Sequence, residues 1–92
     1  MQPRHGSGRF RLKEGAGLTF KTARIRIGWH RYELGELLGF ENRRSAQDFI
    51  TRLEHDELTE HSTPATMGHA LNACALLQIR FDDVAVWERI GV

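Results

Sequence analysis

Residues 33–54, ELGELLGFENRRSAQDFITRLE, restrict the folding options of this chain more than any other stretch. They hold two apolar-periodic segments with one glycine, Gly39, near the joint. In the second segment Ala46, Phe49, Ile50 and Leu53 repeat at i, i+3, i+4 and i+7, the spacing of one helical face. Asn42 is a residue type that caps such a helix, so the spacing predicts a helix from residue 43 to about residue 56 or 58. The first segment predicts a helix over 31–38 with Tyr32, Leu34, Leu37 and Leu38 available for burial. Gly35 there admits a close neighbour, and Gly39 supplies the positive φ at which helices commonly end.

Around this pair the same reasoning places three more helices. One starts at Thr19, carries Phe20, Ala23 and Ile27 on one face with Arg24 beside it, and closes at Gly28. Ile25, Arg26 and Ile27 also alternate as a strand would. Thr63 followed by Pro64 is a strong start signal for a helix that buries Met67, Ala70, Leu71, Ala73, Cys74 and Leu77 and ends near Gln78 or Ile79. A last helix is expected from Asp82 or Asp83, with Val84, Val86, Trp87 and Ile90 on it. The expectation is a small all-α, five-helix bundle over residues 18–92, preceded by a flexible basic arm, residues 1–17. The first eight residues are expected to be disordered. The alternation of Phe10 and Leu12 with Arg9, Arg11 and Lys13 leaves a short β-hairpin open, pairing 9–13 with 18–22.

Ninety-two residues suffice for one domain. The single cysteine, Cys74, suits a reducing compartment, and no apolar run is long enough to cross a bilayer, so a soluble, cytoplasmic protein is expected. The net charge of +1 hides a segregation. Residues 1–31 carry eight Lys/Arg against one acid, whereas the rest of the chain carries five against eleven. A basic end favours a polyanionic partner.

Metal and catalytic chemistry find little support. His55 and His61 lie six residues apart, and His69 and Cys74 five, neither of which is a ligand spacing of a zinc ribbon or a helical pair. No phosphate-binding glycine loop or nucleophile elbow occurs. Glu54, Asp56, Glu57 and Glu60 read as a solvated acidic face. Neither a cofactor, a small-molecule substrate nor a catalytic act is expected.

The face of the 43–56 helix opposite its apolar stripe is more informative. It carries Arg44, Gln47, Asp48 and Thr51, with Arg43 near the start. Arginine can pair with guanine O6/N7 and glutamine with adenine N6/N7 when a helix enters the major groove. Solvent-facing side chains on an ordinary helix would give the same pattern.

Read in order, FKTARIRIGWHRYELGELLGFENRRSAQDFITRLE resembles the Cro/repressor (XRE-type) helix-turn-helix family. Arg24 stands at the family's first-helix arginine, Gly28-Trp29 at its Gly-apolar pair, and Arg31 at its phosphate-binding glutamine. The run from Leu34 to Phe40 follows the second-helix pattern with Gly35 for the usual alanine, and the run from Ile50 to Glu54 is similar to the end of the recognition helix. HALNACALLQIRFDDV is similar to the closing segment, so the resemblance spans about residues 18–86. One departure is length. Either Glu54 matches the family glutamate and the chain is about five residues longer there, or Ser45 to Phe49 match the recognition-helix start with one residue extra.

The resemblance implies a lambda-repressor-like domain that binds specific double-stranded DNA as a homodimer and regulates transcription, as a repressor in the first instance. Arg43, Arg44, Gln47 and Thr51 would read bases, and Arg31, Asn42, Lys21, Arg9, Arg11 and Lys13 would contact the DNA backbone. Val84, Val86, Trp87 and Ile90 would form the dimer interface. The alternative is a protein-binding module, an antitoxin or small inhibitor, docking a basic partner through EHDELTE, residues 54–60.

Overall fold

The computed structural model describes residues 8–89. A strand β1 (Gly8–Leu12) leads into helices α1 (Ala16–Ile27), α2 (Arg31–Leu37), α3 (Arg43–Glu54) and α4 (Pro64–Leu77). One further helical turn, α5 (Phe81–Val84), runs directly into a second strand, β2 (Ala85–Arg89). The strands pair antiparallel, Leu12 opposite Ala85 and Phe10 opposite Trp87. The fold is therefore mixed, a helical body with a two-stranded sheet, and not the five-helix all-α bundle that the apolar spacing suggests.

The correction has a physical reason at each end. On a helix, Val84, Val86 and Trp87 would scatter apolar surface over several sides. On a strand, alternate residues share a face, so Ala85 and Trp87 align with Leu12 and Phe10 of β1. The hairpin partner expected for 9–13 is also wrong, since residues 18–22 belong to α1 and β1 pairs with the far end of the chain. Residues 8–17, assigned to the arm, are part of the fold: Leu12 and Ala16 are buried in the core. The expected disorder of the first residues, and Ile90, lie outside the described residues.

Helix α1 starts at Ala16 and not at Thr19 because its cap comes from far along the chain. Asp56 accepts hydrogen bonds from the backbone N–H groups of Gly15 and Gly17, both at 2.8 Å. A carboxylate at a helix N-terminus satisfies orphan donors and complements the helix dipole. A side chain at Gly17 would collide with the Glu54 carbonyl, so the start of α1 is pressed against the end of α3. Ser62 ties the sheet to the helices in the same manner, accepting from Leu12 N–H at 3.1 Å and donating to the Leu58 carbonyl.

The core is a single cluster whose largest fully buried side chains are Phe20, Leu34, Ile50, Leu53 and Val84. Leu37 and Leu71, counted among the buried positions, are instead exposed. Helix α3 is capped by Asn42, and α4 by Thr63 with Pro64 at its first turn. Gly28 and Gly39 close α1 and α2 with φ of 96° and 104°, conformations that side chains with a Cβ disfavour.

Candidate nucleic-acid interface

Helices α2 and α3 make the most extensive helix–helix contact in the molecule. Gly35 is the reason they come so close: an added Cβ would lie 2.5 Å from the Ala46 Cβ and 2.6 Å from its carbonyl oxygen. With Ala46, Ile50 and Leu53 buried, the opposite face of α3 is fixed toward solvent. Arg43, Arg44, Gln47, Asp48 and Thr51 line one open depression there. The first four are exposed and Thr51 is half-buried. Asp48 sits among the basic and amide side chains and puts a negative charge on the same surface.

Two of the assigned contacts have work within the protein. Asn42 Oδ1 accepts from the N–H groups of Arg44 (2.8 Å) and Ser45 (3.2 Å), which caps α3 and orders the start of this face. The Arg43 guanidinium lies 3.9 Å from the centre of the Tyr32 ring, a cation–π contact. Tyr32 in turn stacks on His30, with ring centroids 5.5 Å apart and nearly parallel planes. The His30 N–H donates to Glu33 Oε1 at 2.7 Å. A column of planar groups thus runs from the start of α2 to the start of α3.

Arg31 is anchored from behind. Its Nε donates to Glu54 Oε1 at 3.0 Å, and the same carboxylate takes Arg24 Nε at 2.6 Å and Nη2 at 3.1 Å. The Glu54 side chain is wholly buried, whereas Arg31 keeps 26% of its side-chain surface. Arg24 also donates through Nη1 to the Trp29 carbonyl at 2.8 Å. The Glu54 carboxylate faces two guanidinium groups, so that cluster alone keeps one positive charge, which Glu33 in the first turn of α2 offsets.

The basic N-terminal stretch is less free than its composition suggests. Arg9 and Arg11 both reach Glu88 of β2, at 3.2 and 3.4 Å. The Arg11 contact lacks the alignment of a hydrogen bond, and its Nε has no hydrogen-bond partner among the described residues. Lys13 is exposed and Lys21 half-buried on α1. The acids of the C-terminal part therefore fold back to neutralise the arginines of the N-terminal part.

The acidic segment 54–60 is not the solvated face read from its composition. Glu54, Leu58 and Thr59 are buried, and Asp56 caps α1, so only part of EHDELTE faces solvent. At the C-terminal end, Val84 is fully buried in the core and is withdrawn from any interface. Val86 and Trp87 remain exposed, the latter by 50%, with Trp87 edge-on to Phe10 at 5.1 Å.

Three residues that shape this surface have another role, or none, in the sequence reading: Tyr32 is expected only for burial and Glu54 on a solvated acidic face, and Glu88 is not singled out. The spacing of His30 and Glu33 is a readable capping-box signal for the first turn of α2. Nothing in the order of residues pairs Tyr32 with Arg43 or Glu88 with Arg9. Burial, with the charge of Asp83 as a second cause, pushes the Cys74 thiol up to about 11, which keeps it protonated and a poor nucleophile at neutral pH. Among the described residues no three His, Cys, Asp or Glu side chains converge as metal ligands, and no helix is long and apolar enough to cross a membrane. Comparison with protein-family models, with curated proteins and with solved structures finds no match for this chain.

Proposed function

We propose that this chain binds specific sequences of double-stranded DNA with the exposed face of α3 and so regulates transcription, foremost as a repressor. The observation that carries the reading is the capped, rigidly seated α3, whose solvent face presents Arg44, Gln47 and Thr51 side by side. Residues of these types in the N-terminal half of an exposed helix can reach base edges in the major groove. Arg43, drawn onto Tyr32, stands at the margin of that face with Arg31 as a phosphate contact. Anchoring by Glu54 holds the Arg31 guanidinium in one orientation, so less side-chain freedom is lost when a phosphate binds. Asp48 supplies discrimination: it can accept from a cytosine amino group and repels a misplaced phosphate.

Docking of a basic protein on residues 54–60 is the weaker reading, because two of that segment's four carboxylates, Glu54 and Asp56, are spent inside the fold, leaving Glu57 and Glu60 exposed. Selection from random duplexes, followed by a salt titration, tests the proposal. A preferred sequence should emerge, with affinity falling steeply as salt is added. Arg44→Ala and Gln47→Ala should each cost about 1–3 kcal/mol on the selected duplex and little on random DNA. Arg31→Ala should weaken both and lower the salt slope by about one. Equal losses on specific and random duplexes for all three variants would overturn the assignment.

A further inference from the structure

The two outer edges of the β1–β2 sheet differ. Lys13 N–H donates to the Val84 carbonyl at 2.9 Å, which sets the alternation of the antiparallel ladder. Arg11 with Val86 and Arg9 with Glu88 then exchange the ladder bonds, while Leu12, Phe10 and Gly8 turn their backbone groups to the outside of β1. That edge is occupied where it meets the helices, because Leu12 N–H donates to Ser62 Oγ. On β2 the outward residues are Ala85, Trp87 and Arg89. Ala85 N–H is spent on the Phe81 carbonyl, but its own carbonyl and the backbone groups of Trp87 and Arg89 form an edge with no other strand beside it among the described residues. It is short and carries Glu88 and Arg89, but neither proline nor lysine stands on it.

We propose that this edge of β2 pairs antiparallel with the same edge of a second copy, giving one continuous sheet with the twofold axis at Trp87. The proposal deepens the paired-copy reading implied by DNA recognition, in which two α3 helices enter successive major grooves. It names the surface that brings them together.

The register follows from the groups available. Centred on Trp87, each Trp87 exchanges both backbone bonds with its counterpart, and each Arg89 N–H reaches the Ala85 carbonyl of the other copy. Centring on Glu88 would set two glutamates directly opposite, which is unfavourable in a strand pair. Centring on Val86 would set Trp87 against Ala85, whose N–H is already committed, and would lose the symmetric Trp87 pair.

Charge agrees with the same register. Arg89 comes to lie beside Ala85 of the second copy, and the short helix before that residue exposes Asp82 and Asp83. None of the three takes part in an ion pair among the described residues. Each copy therefore offers one arginine to the other's pair of aspartates, twice across the axis. The side-chain face joins in. Trp87, 50% exposed and edge-on to Phe10, would lie beside its counterpart, with one Phe10 flanking the pair of indoles on each side.

Sedimentation equilibrium of the full chain without DNA tests this, so that failure here leaves the DNA-binding reading standing. The wild type should sediment at twice the chain mass at tens of micromolar. Trp87 fluorescence should become less accessible to acrylamide as concentration rises. Arg89→Glu, which faces aspartates across the axis, should weaken association by about tenfold or more, as should Asp82→Lys with Asp83→Lys. An equimolar mixture of these two variants should recover the dimer, because both contacts across the axis are then attractive. Arg89→Pro removes an outward N–H without touching the internal ladder and should also give a folded monomer. A wild type that stays monomeric at hundreds of micromolar overturns the proposal. So does a dimer indifferent to Arg89→Glu and Arg89→Pro, or a mixture that stays monomeric.

Discussion

The helical end and the sheet end of this molecule are each fastened by one glutamate that faces two arginines. Glu54 holds Arg24 and Arg31; Glu88 holds Arg9 and Arg11. The stoichiometry is the same and the environment is not. The Glu54 side chain has no solvent exposure and Arg24 has 9%, whereas Glu88 has 38% and Arg9 has 55%. In a buried cluster the ions have lost their hydration, so each depends on its partner, and removing one strands the other. Around Glu88 water and salt can replace whatever is removed. Two similar clusters should therefore behave as a structural lock and as an adjustable surface charge.

The sharpest way to break the comparison is Glu54→Gln. It leaves the Arg24 guanidinium buried beside a neutral amide, and the loss should be about 3–5 kcal/mol. A chain of this size would lose roughly 12 °C or more in Tm, measured by circular dichroism. The double change Arg24→Met with Glu54→Leu should recover much of that loss, since well-packed apolar residues often replace a buried pair at little cost. If Glu54→Gln changes Tm by only a degree or two, the buried cluster is no lock.

Gly35→Ala probes the same end through packing. The added methyl meets the Ala46 Cβ and carbonyl, and the backbone on the far side cannot swing away as a side chain would. Overpacking of this kind costs about 1–3 kcal/mol. Gly35→Ala with Ala46→Gly should recover part of it in urea unfolding. The single variant should also tilt α3 and lower affinity for a selected duplex more than for random DNA.

These two variants also show what could be read from the order of residues. The α2–α3 pair was legible, because a helix period of apolar side chains, an Asn cap and a glycine at the crossing are all local signals. The polar face of α3 was legible for the same reason, being what the buried stripe leaves outside. The sheet was not, since Phe10 and Trp87 stand side by side only after the chain has wrapped its helices. A five-residue strand offers too few alternations to outweigh apolar residues that fit a helix turn. The start of α1 was hidden likewise, its cap being Asp56 rather than a neighbour. Charge segregation misled most. The N-terminal excess of arginine looked like a free cationic arm, yet Glu54 and Glu88 each neutralise part of it from the acidic side of the sequence.

That last point gives the smallest effect on stability and the clearest contrast with Glu54. Glu88→Ala removes an exposed partner, and the fold should lose less than about 1 kcal/mol, an effect that shrinks further in high salt. Arg9 and Arg11 would then stand uncompensated on the solvent face of the sheet. If that face lies near phosphates in the complex, freeing two positive charges should raise affinity for any duplex at low salt and steepen the salt slope by up to about two. The preferred sequence should not change, because neither arginine reaches a base edge in the major groove. Arg9→Ala with Arg11→Ala in the Glu88→Ala background should abolish the gain and take affinity somewhat below the wild-type level, because the wild-type cluster keeps one positive charge and the triple variant none. An unchanged salt slope in Glu88→Ala would place the sheet away from DNA and leave Arg9 and Arg11 as fasteners of the two strands alone.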